Sequence, residues 1–342
     1  MNFSLDLNTV WYLLVGVLLS GYAILDGFDL GVGTLYLFNK KEKERRLLLN
    51  AIGPVWDGNE VWLITGGGAL FAAFPEVYAT VFSGFYIAFM LLLFCLIFRA
   101  TAIEFRSKLE MNWWKKVWDT SFSISSTVAA LLVGVALGNI IAGIPLDQNH
   151  DFTGSFFSLL NPYAIIVGIT TTILFALHGG LFAAVKTEDE LQQRMAGYAK
   201  KLFWIVIFLY VIINIYTFTA FDRLTTNLLN RPYLFLILAL NLYFLVGIYR
   251  QLKKTAFKRA LLFSALNILS WFILFGLDHF PQLVYNTANP DNSLNIYNAA
   301  SSSKTLTIML IIAIIGFPLV LFYTTFIYKT FGGKVKLDSS SY

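Results

Sequence analysis

The sequence predicts an all-α, polytopic membrane protein with nine transmembrane helices. Its 342 residues are 57% hydrophobic and only 13% charged, and the mean hydropathy is +0.67. Soluble globular domains are about 45–50% apolar and about 25% charged. The chain also contains nine apolar runs close to the length of about 20 residues that a helix needs to cross the hydrocarbon of a bilayer.

The nine apolar runs are spread along the whole chain. They are Thr9–Phe38, Ile52–Phe74, Val77–Phe98, Trp118–Ile144, Pro162–Val185, Leu202–Phe221, Tyr233–Tyr249, Ala260–Leu277 and Leu306–Tyr328. A transmembrane β-strand would alternate apolar and polar residues over about 10 positions. Stretches such as LFWIVIFLYVIINIY, which starts at residue 202, are continuously apolar. The runs are therefore predicted to be helices.

The distribution of basic residues predicts the orientation. Of the 25 Lys and Arg residues, 22 lie in alternate loops and in the C-terminal tail, beginning with NKKEKERRLLLN after the first run. The other three are Arg223, Arg231 and Lys304. Because basic loops stay in the cytoplasm, the N-terminus is predicted to lie outside and the C-terminus in the cytoplasm. The net charge of +5 thus reflects membrane topology and does not indicate a nucleic-acid partner.

The organisation predicted for residues 1–342 is a single integral membrane domain. The longest segment between runs, residues 278–304, is rich in Asn and Ser and has no apolar periodicity long enough for a core, so it is predicted to be an outer loop that caps the bundle or docks a partner. Residues 331–342 are predicted to be a flexible cytoplasmic tail.

Two acidic pairs lie inside the first two apolar runs. Asp26 and Asp29 are three residues apart in GYAILDGFDLGVG, and Asp57 and Glu60 repeat that spacing in GPVWDGNEVWLITGGG. Residues three apart share one face of a helix. If the basic turn at residues 43–45 folds the two helices antiparallel, Asp29 is level with Asp57, and Asp26 with Glu60. The four carboxyl groups are then predicted to meet in the cytoplasmic half of the bilayer.

Two roles are open for these acids. Carboxylates placed close together in a low dielectric cannot all stay charged, so some are expected to bind protons near neutral pH, as a proton path requires. Alternatively, they pin helices together or pair with Arg45, Arg99 or Arg106.

A single histidine, His178, lies inside a predicted span, in ALHGGLF. Three roles are open for it: a haem contact, a proton relay, or a hydrogen bond to a neighbouring helix. No catalytic residue and no metal site of the chain's own is predicted.

The motifs around the acids carry a family resemblance. GYAILDGFDLGVG, then ERRLLLNAIGPVWDGNEVWLITGGGALFAAFPEVYA, and then FSGFYIAFMLLLFCLIFRATAIEFRSK are long and specific, and they cover about the first third of the chain. The sequence resembles subunit II of the bacterial cytochrome bd quinol oxidase. The remaining part agrees in number and orientation of spans, with weaker motifs.

The resemblance implies a fold of two four-helix bundles plus one peripheral helix, in the bacterial plasma (inner) membrane. It implies an oxidase in which quinol is the substrate and dioxygen is reduced to water. Two haems b and one haem d are expected on the partner, subunit I, and a small single-helix subunit, lipids and quinone are further partners. For this chain the resemblance implies a role in assembly of the complex and in proton uptake. It assigns proton uptake first to Asp29 and Asp57, and second to Asp26 and Glu60.

The residues themselves agree that the haems lie elsewhere. Three haems need about five or six axial ligands, whereas the predicted spans offer only His178, Met90 and Met309. Two alternatives to a proton path remain. One is a purely structural assembly subunit of the same complex, and the other is a proton-coupled secondary transporter, whose acids would usually lie nearer the bilayer midplane.

Overall fold

The structure is a computed structural model that describes residues 6–337, and these residues form a helical bundle with one small sheet. The α-helices are α1 (Leu7–Tyr36), α2 (Glu42–Ile52), α3 (Trp56–Ala73), α4 (Pro75–Gly84), α5 (Tyr86–Phe105), α6 (Asn112–Ala142), α7 (Pro162–Lys186), α8 (Asp189–Ala220), α9 (Asp222–Asn230), α10 (Tyr233–Lys253), α11 (Phe257–His279) and α12 (Ser303–Thr330). The antiparallel strands are β1 (Gln282–Val284) and β2 (Leu294–Asn295). The predicted all-α class is confirmed.

Eight helices of the described residues are long and apolar enough to cross a membrane: α1, α5, α6, α7, α8, α10, α11 and α12. The predicted span Ile52–Phe74 corresponds to α3, which has 18 residues and a polar first turn and is not among the eight. The predicted span Val77–Phe98 does not coincide with one helix, because it overlaps both α4 and α5. The chain breaks at Phe85, between α4 and α5, so the long helix begins at Tyr86.

The helices pack in two groups, which meet where α7 packs against α6 and α1. The first group is α1, α3, α5 and α6, and the second is α7, α8, α10 and α11. Of the eight candidate spans, α7 has the largest buried share of its apolar window, 67%, and α12 has the smallest, 6%. The core therefore lies around α7, and α12 lies at the periphery of the described chain.

Two glycines permit the close approach of α1 and α7. A Cβ atom on Gly31 would lie 1.8 Å from the carbonyl oxygen of Phe175, and one on Gly179 would lie 2.4 Å from the carbonyl carbon of Gly31. Both distances are far below van der Waals contact, so only glycine fits at these positions. The backbones of the two central helices touch there, as is common between membrane helices.

Opposite ends of the bundle differ in character. One end carries the basic loops and is called the basic end. At the other, residues 280–302 form a cap with the sheet β1–β2. Asn286 binds the backbone of Leu146 with both side-chain atoms, at 3.0 and 3.1 Å. The cap thus packs on the segment after α6. The predicted outer loop 278–304 begins inside α11 and ends inside α12.

Residues 331–337 lie against the basic end of α7. The Val335 N–H donates to the Lys186 carbonyl at 2.9 Å, and the Lys334 ammonium donates to the Thr187 carbonyl at 2.5 Å. The Lys186 ammonium binds the Phe331 carbonyl. Of the predicted tail 331–342, residues 338–342 lie outside the described residues.

We predict that Gly31→Ala lowers the free energy of unfolding by about 1–3 kcal/mol or more, because the added methyl group forces α1 and α7 apart. The measurement is the unfolding temperature in detergent. Gly197→Ala is the control, since nothing lies within 4 Å of a Cβ at this position in α8 and alanine favours a helix over glycine by about 1 kcal/mol. Equal unfolding temperatures for both variants would contradict the close approach.

Candidate functional site

Arg99, on α5, lies at the centre of a buried acid cluster. Its guanidinium is fully buried and binds both carboxylate oxygens of Asp26, with nitrogen–oxygen distances of 2.6 and 3.3 Å. Asp29 and Glu60 each have one oxygen 3.8 Å from an Arg99 nitrogen. The group, called the Arg99 cluster, holds three carboxyl groups and one guanidinium. An excess of buried acids over cations favours proton binding by part of the cluster.

An amide and a hydroxyl extend the Arg99 cluster toward α12. The Asn59 Nδ2 donates to Asp29 Oδ2 at 2.7 Å and to the Leu25 carbonyl at 3.3 Å. The Tyr328 hydroxyl donates to Asn59 Oδ1 at 2.8 Å. The second oxygen of Asp29, Oδ1, is buried and has no hydrogen-bond partner within residues 6–337.

Asp57 is placed differently from the other three predicted acids. It lies in the first turn of α3 and is exposed, whereas Asn59 on the same helix is buried against Asp29. Two residues along a helix are about 200° apart around the axis, so Asp57 and Asn59 point to opposite sides. Asp29 therefore meets Asn59 instead of the predicted Asp57. Asp57 still interacts electrostatically with Glu60, which is partly exposed.

His178, on α7, joins two helices through both ring nitrogens. Nε2 lies 3.1 Å from the Ile24 carbonyl of α1, and Nδ1 lies 3.0 Å from the Ser264 hydroxyl of α11. A carbonyl only accepts, so Nε2 carries the proton and Nδ1 accepts from Ser264. Of the three roles open from the sequence, this arrangement favours the hydrogen bond, since neither nitrogen has a lone pair free for iron.

A cavity of about 190 Å³ lies in the second helix group, lined mainly by apolar side chains of α6–α8, α10 and α11. Its polar lining residues include Asn214, Thr217, Asp278 and His279. Ligand pockets for compact molecules measure about 300–1,000 Å³, so a haem macrocycle does not fit there. Residues 6–337 also contain no group of three or more His, Cys, Asp or Glu that could hold a metal ion.

A second buried ionic network, the Asp119 network, lies at the basic end. Asp119 on α6 accepts from Tyr36 at 2.6 Å, Arg45 at 2.7 Å and Arg106 at 2.5 Å. Arg106 also binds Glu42 at 2.8 Å. Burial favours the neutral form of Glu42, but the hydrogen bonds and charge of Arg106 outweigh burial and hold the pKa of Glu42 below its usual range. The network ties α1, α2 and α6 together.

The three arginines named from the sequence thus divide between two sites. Arg99 pairs with the predicted acids, while Arg45 and Arg106 pair with Asp119. Asp119 was detectable from the sequence, because it is an acid inside the predicted span that starts at Trp118. Asn59 carried a weaker signal, since an uncharged amide in a span is common.

We predict that Arg99→Met sharply lowers the yield of folded protein, because removing one partner of a buried ion pair costs about 3–5 kcal/mol. Arg99→Lys keeps the charge and loses the two-pronged geometry, so its yield and unfolding temperature should be intermediate. Arg259→Met, at an exposed position of the basic end, is the control. An Arg99→Met protein as stable as the control would show that the acids need no buried cation.

Comparison with known proteins agrees over nearly the whole chain. Residues 7–331 match the family described as cytochrome bd terminal oxidase subunit II. Cytochrome bd-I ubiquinol oxidase subunit 2 of Escherichia coli (strain K12) is 35% identical, over 97% of this chain and 96% of that protein. Cytochrome bd ubiquinol oxidase subunit 2 of Bacillus subtilis (strain 168) is 33% identical, over 96% of this chain and 97% of that protein.

The fold agrees as well. The solved structure of bd oxidase from Geobacillus thermodenitrificans contains a chain that matches with a TM-score of 0.77 at 16% identity, over 95% of this chain and 98% of that chain. The family match, the sequence relatives and the fold give the same answer. The chain belongs to the cytochrome bd terminal oxidase subunit II family.

Proposed function

We propose that this chain acts in a respiratory terminal oxidase that oxidises quinol and reduces dioxygen to water, and that it carries protons from the cytoplasm toward haems held by the partner subunit. The relatives from Escherichia coli and Bacillus subtilis are named as subunits of ubiquinol oxidases, which supports the reaction class. The Arg99 cluster is the observation that carries the proton role.

The position of the Arg99 cluster suits proton uptake. α1 ends at Tyr36, seven residues beyond Asp29, so Asp29 lies about 10 Å from the basic end of the helix. The positive-inside rule makes the basic end cytoplasmic. A group of buried acids within about three helical turns of the cytoplasm can take up protons from it and, through its excess of carboxyl groups, hold some of them.

The exposure of each acid suggests an order along the path. Asp57 is exposed, the Glu60 side chain is 15% exposed, and Asp26 and Asp29 are fully buried. Protons would enter at Asp57, pass Glu60 and reach Asp29, whose Oδ1 is free of hydrogen bonds in the described chain. Asp26 is bound by both prongs of Arg99 and would hold the guanidinium in place.

The partner subunit would hold the two haems b and the haem d, which supply electron transfer and the reduction of dioxygen. The hydrogen bonds that occupy both ring nitrogens of His178 support that division. The 190 Å³ cavity, apolar with a few polar groups, is the size of part of a flexible apolar chain. It would suit a lipid tail or the tail of a quinone. A small single-helix subunit remains a further proposed partner.

The purely structural alternative rests on a specific observation. The Asp26–Arg99 pair and the Asp119 network tie helices together, and such pairs alone would aid assembly. They do not account for Asp29 and Glu60, which lie 3.8 Å from Arg99 and add charge without a second cation in the cluster. A secondary transporter is disfavoured because the acids lie near one end of the bundle and not at its midplane.

We also propose nine transmembrane helices, with α3 as the ninth, an external N-terminus and a cytoplasmic C-terminus. The test places cysteines at the exposed positions Asn289, in the cap, and Lys108, at the basic end, in a Cys95→Ser background. An impermeant thiol reagent added outside should label Asn289→Cys and leave Lys108→Cys unlabelled in intact cells. The reverse labelling would overturn the orientation.

We predict that Asp57→Asn and Asp29→Asn lower oxidase turnover per haem by about tenfold or more, because proton-transfer groups contribute factors of about 100 to 10,000. Asparagine keeps the size of the side chain and cannot exchange a proton. Glu60→Gln and Asp26→Asn should have weaker effects. The measurements are quinol oxidation and oxygen consumption by the purified complex, normalised to the reduced haem spectrum.

Glu190→Gln is the matched control, because Glu190 is an exposed acid at the basic end whose surface ion pair with Lys41 is worth little. If Asp29 and Asp57 act as one path, the double variant should lose little more than the worse single variant. Normal turnover in an assembled Asp57→Asn complex would refute the path. Loss of haem together with activity would favour the structural role.

A further inference from the structure

The peripheral helix α12 is attached to the rest of the described chain at a few points. Near the cap, the Trp11 indole N–H donates to the Leu306 carbonyl at 3.0 Å. In the middle, Trp62 and Phe317 meet edge to face, with ring centroids 6.0 Å apart. At the basic end, the attachment is Tyr328, whose hydroxyl reaches Asn59. Only this third attachment leads to the Arg99 cluster.

The orientation of the Asn59 amide follows from its partners. Its Nδ2 faces two acceptors, the Leu25 carbonyl and Asp29 Oδ2, so both N–H groups are used. Oδ1 therefore faces Tyr328 and accepts from its hydroxyl. The Tyr328 hydroxyl thus fixes the amide, and the amide donates to the carboxyl oxygen of Asp29 that faces Arg99.

We propose that Asn59 and Tyr328 are positioning residues for the proton path, and that α12 acts on Asp29 through them. This inference rests on the proposed function of the Arg99 cluster. Neither residue carries the proton. The hydrogen bond from Asn59 holds Asp29 Oδ2 toward Arg99, and it stabilises the charged form of the Asp29 carboxyl group.

Several contacts fix the end of α12 that carries Tyr328. The Tyr328 ring meets Phe28 edge to face at 6.4 Å, and Phe28 stacks on Phe182 at 3.9 Å. The ammonium of Lys186 lies 5.7 Å from the centre of the Phe182 ring and also binds the Phe331 carbonyl, just after α12. Residues 331–335 thus fasten the end of α12 to α7, close to the site where Tyr328 contacts Asn59.

Removing the Tyr328 hydroxyl should change the proton affinity of Asp29. Without that donor, Asn59 Oδ1 loses its hydrogen bond, the amide is held only through Nδ2, and the donation to Asp29 weakens. The charged groups that face Asp29 are Asp26 on its own helix, Glu60 on α3 and Arg99 on α5, and all three remain. The charged form of Asp29 loses support, so Asp29 stays protonated up to a higher pH.

The test is Tyr328→Phe in the assembled oxidase, which removes one oxygen and keeps the ring on Phe28. We expect a normal haem spectrum, turnover lowered by roughly threefold to tenfold, and a pH profile displaced upward by about 0.5–1 pH unit, as the loss of one hydrogen bond predicts. Tyr323→Phe is the control on the same helix, since Tyr323 is 60% exposed and should leave both turnover and profile unchanged.

A second variant and a second background complete the test. Asn59→Leu should displace the pH profile in the same direction. In the Asp29→Asn background, Tyr328→Phe should have no further effect, because its target carboxyl group is gone. A wild-type profile in haem-replete Tyr328→Phe or Asn59→Leu, while Asp29→Asn is impaired, would overturn the positioning role alone. Normal turnover of Asp29→Asn would overturn the proposed function and this inference together.

Discussion

The ion pair between Arg99 and Asp26 is the interaction on which the rest of the site depends. Both side chains are fully buried inside a helix bundle, where an unpaired charge would cost several kcal/mol. The two-pronged contact keeps a cation at the junction of α1, α3 and α5. That cation reduces the electrostatic repulsion between Asp29 and Glu60, which each have an oxygen 3.8 Å from Arg99.

Close helix packing makes this arrangement rigid. Gly31 and Gly179 bring the backbones of α1 and α7 into contact about half a turn beyond Asp29. His178, next to Gly179, binds the carbonyl of Ile24, two residues before Asp26 on α1. The helix that carries Asp26 and Asp29 is therefore held on two sides, by glycine contact and hydrogen bond to α7 and by charge to α5. Such fixed geometry suits proton transfer, which depends on distance.

The basic end is built from separate ionic contacts that do not mix with the Arg99 cluster. Arg45 and Arg106 are neutralised by Asp119 and Glu42, and Arg194 binds Glu44. The loops at the basic end therefore carry the excess positive charge that orients a membrane protein, although these three arginines are paired with acids. That leaves Arg99 as the sole Lys or Arg within 4.0 Å of the cluster's carboxyl oxygens in the described residues.

The sequence by itself determined the helical class and the end of the bundle that carries the basic loops. It predicted nine membrane spans, against eight candidate spans among the described residues, and it placed Asp26, Asp29 and Glu60 near one another. These follow from hydropathy and from the three-residue spacing, which are local properties. Tertiary structure decided which faces meet. Asp57 and Asn59 lie about 200° apart around the axis of α3, so an amide and not a carboxylate lies against Asp29. Tyr328 is 269 residues from Asn59 along the chain, and it contacts the same site because α12 packs beside α3. Contacts between residues so far apart depend on helix packing, which no local pattern encodes.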